Sequence, residues 1–264
     1  MKRVINSLSV NLYGHPEKQA IVFVHGFPYD HTMWMNQINA LKEDYFCVAY
    51  DIRGLGESYV GDGQYTMEAY VMDLFSVIEG LNLKKPIVCG LSMGGYITLR
   101  ALEISQDVFS AAILCDTRAE ADGDKGKLGR AQKINQINVE GLRAFVESFV
   151  PTCFAEKSKE DLKELYNEII NRSSGNDPIG VKGALFAMLS RTSTKRFLKD
   201  ISIPTLILVG EKDGLTPPNV MKKMAEKIKG AKFKVVPKAG HMSPIENPSF
   251  VNEAIKGFLK KKVK

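Results

Sequence analysis

The sequence predicts an α/β protein, with a mainly parallel sheet, helices on both faces and one helical insertion. Three observations predict it. Short apolar runs rich in β-branched residues recur at 20–24, 46–50, 86–89, 111–115, 205–209 and 233–236, as strands buried on both faces do. Segments of helical period separate most of them, and repeated strand–helix units build parallel sheets through right-handed crossovers. Between residues 118 and 200 the strand signal stops, and polar, charged sequence of helical period takes over. The expected division is an α/β core over 1–117 and 201–264 and a helical cap, or lid, over 118–200.

Taken in order, residues 4–13 alternate apolar and polar side chains, the pattern of one strand with a wet face. The run at 20–24 leads into the loop His25-Gly26-Phe27-Pro28-Tyr29-Asp30, then a helix over 32–42 with Trp34, Ile38 and Leu41 at helical spacing. The strand at 46–50 ends at Asp51-Ile52-Arg53-Gly54-Leu55-Gly56-Glu57-Ser58. Residues 67–80 are amphipathic, with Tyr70, Val71, Leu74, Val77 and Ile78 on one side. The strand at 86–89 feeds a sharp turn, a helix over 94–105 and the strand at 111–115. Within the insertion, 141–149, 160–170 and 181–191 read as helices. The core resumes with the strand at 205–209, a helix over 218–228, a strand near 233–236 and a closing helix over 249–262.

Composition narrows the function classes. The 264 residues are 44% hydrophobic and 25% charged, which is ordinary for a globular chain and excludes a disordered or fibrous one. The net charge of +6 does not imply a nucleic-acid partner. Lysines are scattered along helix faces, and the dense run Lys260-Lys261-Lys262 with Lys264 closes the last helix, where cations complement the dipole. The start, Met1-Lys2-Arg3, is basic but broken by Asn6, Ser7, Ser9 and Asn11 before an apolar leader can form. No apolar run approaches the ~20 residues that cross a bilayer, so no membrane partner is expected. Cys47, Cys89 and Cys115 fall in separate apolar runs without metal-ligand spacing, as buried free thiols of a reducing, cytoplasmic protein do.

Gly90-Leu91-Ser92-Met93-Gly94 fits Gly-x-Ser-x-Gly, a strained strand-to-helix turn that projects a serine hydroxyl above a sheet. Reactive groups of parallel sheets gather outside the carboxyl ends of the strands. The loops there hold Ser92, an acid in Gly210-Glu211-Lys212-Asp213-Gly214, and a histidine in Ala239-Gly240-His241-Met242. The order is Ser, Asp, His.

With these segments, His25-Gly26-Phe27-Pro28 and Asp51 to Ser58, the chain resembles the α/β hydrolases of the small esterase, enol-lactonase and cofactor-free haloperoxidase group over nearly its whole length. The resemblance implies a mainly parallel sheet of the eight-stranded type, Ser92 as nucleophile, Asp213 as the acid and His241 as the base. It also implies an oxyanion hole made by the backbone N–H groups of Phe27 and Met93. The chemistry agrees, because a serine hydroxyl needs a base within hydrogen-bond reach, and the base needs a group that holds its second nitrogen.

Each assignment has a plainer alternative. Ser92 is otherwise a turn serine, Asp213 a turn or capping residue with Glu211 as the acid, and His241 a structural loop residue. His25 reads as structural beneath the oxyanion loop, His15 and His31 as surface or loop residues, and Arg53 as an ion-pair partner. The glycines at 54 and 56 lack the lysine and helix-opening spacing of a phosphate loop. Arg118 reads either as solvated charge or as a clamp on a substrate carboxylate. Phe27, Trp34, Met93, Phe186, Met188, Leu215 and Met242 are the candidate pocket residues, with core packing as their alternative.

The expected function is hydrolysis of small to medium carboxylic esters through an acyl-enzyme on Ser92, with no cofactor and no metal. Lactone hydrolysis is the alternative, suggested by similarity around Asp116-Thr117-Arg118-Ala119-Glu120-Ala121-Asp122. Pro28 resembles the haloperoxidases and adds perhydrolysis as a side activity. A non-catalytic ligand-binding member of the fold is the remaining reading. The expected partner is a small ester or lactone.

Overall fold

A computed structural model describes residues 1–262. Strands β1 (Lys2–Ile5) and β2 (Leu8–Tyr13) form an antiparallel hairpin, not the single strand expected over 4–13. Asn6 and Ser7 sit at φ 48° and 63°, the left-handed pair that a two-residue type I′ turn demands. A turn of two residues preserves the alternation of period two, so periodicity alone runs straight through the reversal.

Strands β3 (Ala20–Val24), β4 (Phe46–Tyr50), β5 (Ile87–Leu91), β6 (Ala111–Cys115), β7 (Thr205–Gly210) and β8 (Lys232–Val236) complete one sheet of eight strands in the order β1-β2-β4-β3-β5-β6-β7-β8, parallel from β4 to β8. Every residue of β3 to β7 is buried, which is why those strands read as continuous apolar runs. The edge strand β8 exposes Lys232 and Lys234 instead, a charged edge that discourages pairing with another chain.

A 3₁₀ turn over His31–Trp34 enters α1 (Met35–Leu41), followed by α2 (Met67–Gly80) and α3 (Met93–Ser105). Between β6 and β7 lie α4 (Asp124–Glu140), α5 (Leu142–Phe149), α6 (Glu156–Asp161), α7 (Lys163–Ser174) and α8 (Pro178–Ser190). The chain closes with α9 (Pro218–Ala225), α10 (Ser243–Glu246) and α11 (Pro248–Lys262). Helix α1 packs with α11, and α2 with α3. Lys264 of the C-terminal lysine run lies outside the described residues. Among the described residues no helix is long and apolar enough to cross a membrane, and all four cysteines are buried and free.

The long helix α4 has no counterpart in the sequence expectation. Only Ile134 and Ile137 of its 17 residues are buried, while Leu128 and Val139 are exposed. It therefore lacks the apolar stripe that marks a helix in sequence.

Close backbone contact and a few polar bonds seat the insertion on the core. A Cβ at Gly180 of α8 would stand 1.9 Å from the Gly54 carbonyl oxygen. Asn176 donates to the Pro28 carbonyl at 2.9 Å and accepts from the Gly56 N–H at 2.8 Å. Arg172 pairs with Asp30 at 3.0 Å.

Candidate active site

Ser92 sits between β5 and α3 at φ 53° and ψ −112°, a region that a non-glycine residue occupies only under constraint. The constraint is visible. A Cβ at Gly90 would lie 2.4 Å from the Gly94 carbonyl oxygen, and one at Gly94 would lie 2.1 Å from that of Val24. Both positions must be glycine for β3, β5 and α3 to approach. The Ser92 N–H donates to the Cys115 carbonyl at 3.0 Å, and the Ser92 carbonyl accepts from the Thr117 hydroxyl at 2.8 Å. The end of β6 thus holds the turn.

The loops after β7 and β8 bring two more groups to this hydroxyl. His241 Nε2 lies 2.8 Å from Ser92 Oγ, and His241 Nδ1 lies 2.8 Å from Asp213 Oδ2. Asp213 also accepts from the N–H groups of Leu215 at 2.8 Å and Thr216 at 2.9 Å, and from the Thr216 hydroxyl. Burial raises the pKa of this carboxyl. The His241 ring and the hydrogen bonds from His241 and Thr216 outweigh burial and hold it at about 2. Glu211, the alternative acid, is exposed and accepts from the Lys238 N–H at 3.0 Å, so it does not reach His241. A hydroxyl within reach of an imidazole that is itself oriented by a carboxylate can lose its proton while attacking a carbonyl.

Among the described residues, neither the Phe27 nor the Met93 backbone N–H has an acceptor. The loop carrying Phe27 rests on His25, whose Nδ1 bonds the Gly26 carbonyl at 2.8 Å while Nε2 accepts from the Ile52 N–H at 2.8 Å. Nδ1 therefore carries the proton. His31, read as a surface or loop residue, is buried at the start of a 3₁₀ turn, with Nδ1 2.7 Å from Asp51 Oδ1. Asp51 also accepts the N–H groups of His31 and Glu57, so one buried carboxylate ties two loops together, a role that a loop sequence does not reveal. Arg53 pairs with Asp73 as expected, and His15 is exposed.

Three supporting side chains escaped sequence reasoning. Asp116, at the end of β6 with φ 45°, accepts from the Gly210 N–H at 2.7 Å and bonds the Ser243 hydroxyl. It links the loops that carry Asp213 and His241. Burial, and then the neighbouring Asp213 charge, push the Asp116 carboxyl well above the usual range, the opposite direction to Asp213. Glu246 on α10 accepts from the N–H groups of Gly240, Met242 and Ala155, joining the histidine loop to the insertion. Thr216 was the third. Asp116 stands at a strand end and in the stretch 116–122 that suggested lactone hydrolysis, while nothing in the sequence marked Glu246 or Thr216.

A cavity of about 250 Å³ opens over Ser92 and His241, lined by Phe27, Tyr96, Phe149, Met188 and Leu215 and by charged residues of the insertion. Of the expected pocket residues, Phe27, Met188 and Leu215 line it. Trp34, Met93 and Met242 do not, because all three are fully buried, Trp34 against Phe23 at 5.3 Å between ring centres. Phe186 lies on the outer side of α8, 52% exposed, over a different surface hollow. Helical period tells which residues share a face, not which way that face turns. Arg118 does line the cavity, and it bonds Asp122 at 2.8 Å.

Comparisons with known proteins bear on this geometry. A family model described as the alpha/beta hydrolase fold matches residues 19–248. A 3-oxoadipate enol-lactonase of Acinetobacter baylyi is 32% identical over 96% of this chain and 93% of its own length. The structure of a thermophilic esterase from Thermogutta terrifontis, with malate bound, superposes with a TM-score of 0.94 at 33% identity, over 100% of this chain and 99% of the other. An enol-lactonase from Burkholderia xenovorans superposes with a TM-score of 0.91 at 23% identity, over 98% of this chain and 100% of its own, a likeness of fold.

Proposed function

The chain belongs to the α/β hydrolase fold family, and from that premise we propose that it is a serine hydrolase cleaving carboxylic esters of small to medium size through an acyl-enzyme on Ser92. The observation that carries this reading is the bonded series Ser92 Oγ, His241 and Asp213, with 2.8 Å at each step. His241 takes the serine proton as Oγ attacks the carbonyl carbon, then gives it to the departing alcohol. Asp213 holds Nδ1 and stabilises the imidazolium. The free N–H groups of Phe27 and Met93 receive the oxyanion. Water, deprotonated by His241, then releases the acid. No cofactor enters any step. Residues 118–200 act as a lid on the core of 1–117 and 201–264, closing the cavity over the reacting carbonyl.

Replacing Ser92 by Ala is expected to lower kcat on short p-nitrophenyl esters by about 10⁴-fold or more. Turnover retained within tenfold would remove Ser92 from the mechanism. Fluorophosphonate labelling separates the enzyme from a ligand-binding member of the fold, which would give no Ser92 adduct.

A second reading, lactone hydrolysis, is favoured by the 32% identity to an enol-lactonase over nearly the whole chain. The same nucleophile opens a ring ester, and an ester and lactone panel on wild type beside Ser92→Ala decides between the two. Perhydrolysis at the same serine, suggested by Pro28, is tested by adding peroxide and a carboxylic acid to that panel.

A further inference from the structure

A second cavity, of about 270 Å³, lies where α7 meets the chain that follows Phe27, and among the described residues it shares no lining residue with the cavity over Ser92. Its apolar surface comes from Pro28, Met33, Met35 and Ile245 on the core and from Leu165 and Ile169 on α7. The charges of its wall are already paired. Arg172 donates from Nε to Asp30 at 3.0 Å and stands 3.8 Å from Glu168. Asp30 also accepts from the Thr32 N–H at 2.8 Å and from the Thr32 hydroxyl. The Asn176 amide donates to the Pro28 carbonyl at 2.9 Å and the Ser173 carbonyl at 3.1 Å, and accepts from the Gly56 N–H at 2.8 Å. The Ser173 hydroxyl is different. Ser173 lines the cavity and is 2% exposed, yet its side chain makes no hydrogen bond among the described residues.

We propose that this cavity is a second ligand site, taking a small, uncharged, mainly apolar molecule with one hydroxyl or carbonyl group, which bonds Ser173 and fastens α7 to the loop after Phe27. An ion entering here would shed its water and meet charges that already have partners. A neutral body covers methionine, leucine and isoleucine surface, where water finds few of the polar partners it needs, and Ser173 replaces the hydration of its one polar group. The volume lies just below the ~300–1,000 Å³ usual for ligand pockets, so the molecule is about the size of one ring with a short substituent. The site involves no chemistry at Ser92 and stands or falls apart from the hydrolase reading.

The test uses cyclohexylmethanol, cyclohexanecarboxylate and cyclohexylmethylammonium, one ring with three head groups. Calorimetric titration of wild type should show saturable binding of the alcohol, about tenfold or more tighter than that of either ion. With the alcohol bound, amide hydrogen exchange should slow in α7 and not in α4, which borders the cavity over Ser92 instead. Leu165→Trp, which fills the cavity from α7, should weaken the alcohol by about tenfold or more. Ser173→Ala, which removes only the hydroxyl, should weaken it by about threefold to tenfold. No saturable binding to wild type, protection in α4 without α7, or affinity unchanged in folded Leu165→Trp overturns the site. An ion that binds as tightly as the alcohol overturns the uncharged class, and affinity unchanged in Ser173→Ala overturns the bond to Ser173.

Discussion

The two walls of the cavity treat charge in opposite ways. On the sheet side the buried carboxyl groups are satisfied: Asp213 accepts four hydrogen bonds, Asp116 accepts from the Gly210 N–H and the Ser243 hydroxyl, and Asp51 accepts from His31 and Glu57. On the insertion side Arg118, Arg130 and Arg191 share the carboxylate of Asp122, and Lys133 has no acidic partner among the described residues. The first arrangement holds atoms still, as a reaction that moves a proton over hydrogen-bond distances requires. The second leaves cationic donors spare, the Nε–H groups of Arg118 and Arg191 and the Lys133 ammonium.

Four experiments break or sharpen that contrast, the largest effect first. Asp213→Asn leaves the acid's shape but removes its charge and reverses its hydrogen bond to His241. A loss of about 10⁴-fold in kcat is expected, with Glu211→Gln staying within about threefold. The reverse ranking would move the acid to Glu211. Asp122→Ala leaves three arginines facing one another without a counter-ion. Denaturant unfolding should show a loss of about 3 kcal/mol, and an unchanged midpoint would mean that the insertion wall does not depend on this hub.

The third concerns acid. The Asp213 pKa is depressed to about 2 from its ordinary 3.8, so the unfolded chain binds the proton more readily. Its contribution is therefore present above about pH 4 and is lost as the pH falls through 2, roughly 2 kcal/mol in all. Asp213→Asn should lack that part of the acid limb, and identical limbs would contradict the assignment. Asp116 has the opposite sign. Its raised pKa favours folding below the ordinary carboxyl range and ceases to as the pH climbs through the raised value. Asparagine keeps an oxygen for the Gly210 N–H, can donate to Ser243 and tolerates positive φ. Asp116→Asn should therefore match wild type within about 1 kcal/mol below about pH 4 and gain on it as the pH rises. A loss that grows with pH would show that the site needs the Asp116 charge.

Much of the fold was legible because its signals are local. The runs that became β3, β4 and β6 begin and end where the apolar stretches do, since a strand covered on both faces excludes polar residues along its whole length. The β1–β2 reversal and α4 were not legible, one because a two-residue turn preserves strand alternation, the other because a helix touching the core at two isoleucines has no stripe to display. The serine turn, the histidine loop and the acid loop could be read from strand ends and turn chemistry. The resemblance pointed to Asp213 over Glu211, but turn chemistry alone left both open, because they lie in one loop and only Asp213 reaches the His241 ring.

The sequence by itself therefore determined the strand–helix order, the Ser92 turn and the loops that meet at one end of the sheet. All of these follow from burial period and from backbone conformations that neighbouring residues permit. The tertiary structure decided that Trp34 and Met242 are core, that Phe186 is exposed and that Lys133 lines the cavity over the serine. It also decided that Asp116 and Asp213, both at strand ends, have carboxyl pKa values shifted in opposite directions. Those outcomes depend on which distant segments pack together, and so on the local dielectric and hydrogen-bond partners, quantities that no stretch of sequence carries alone.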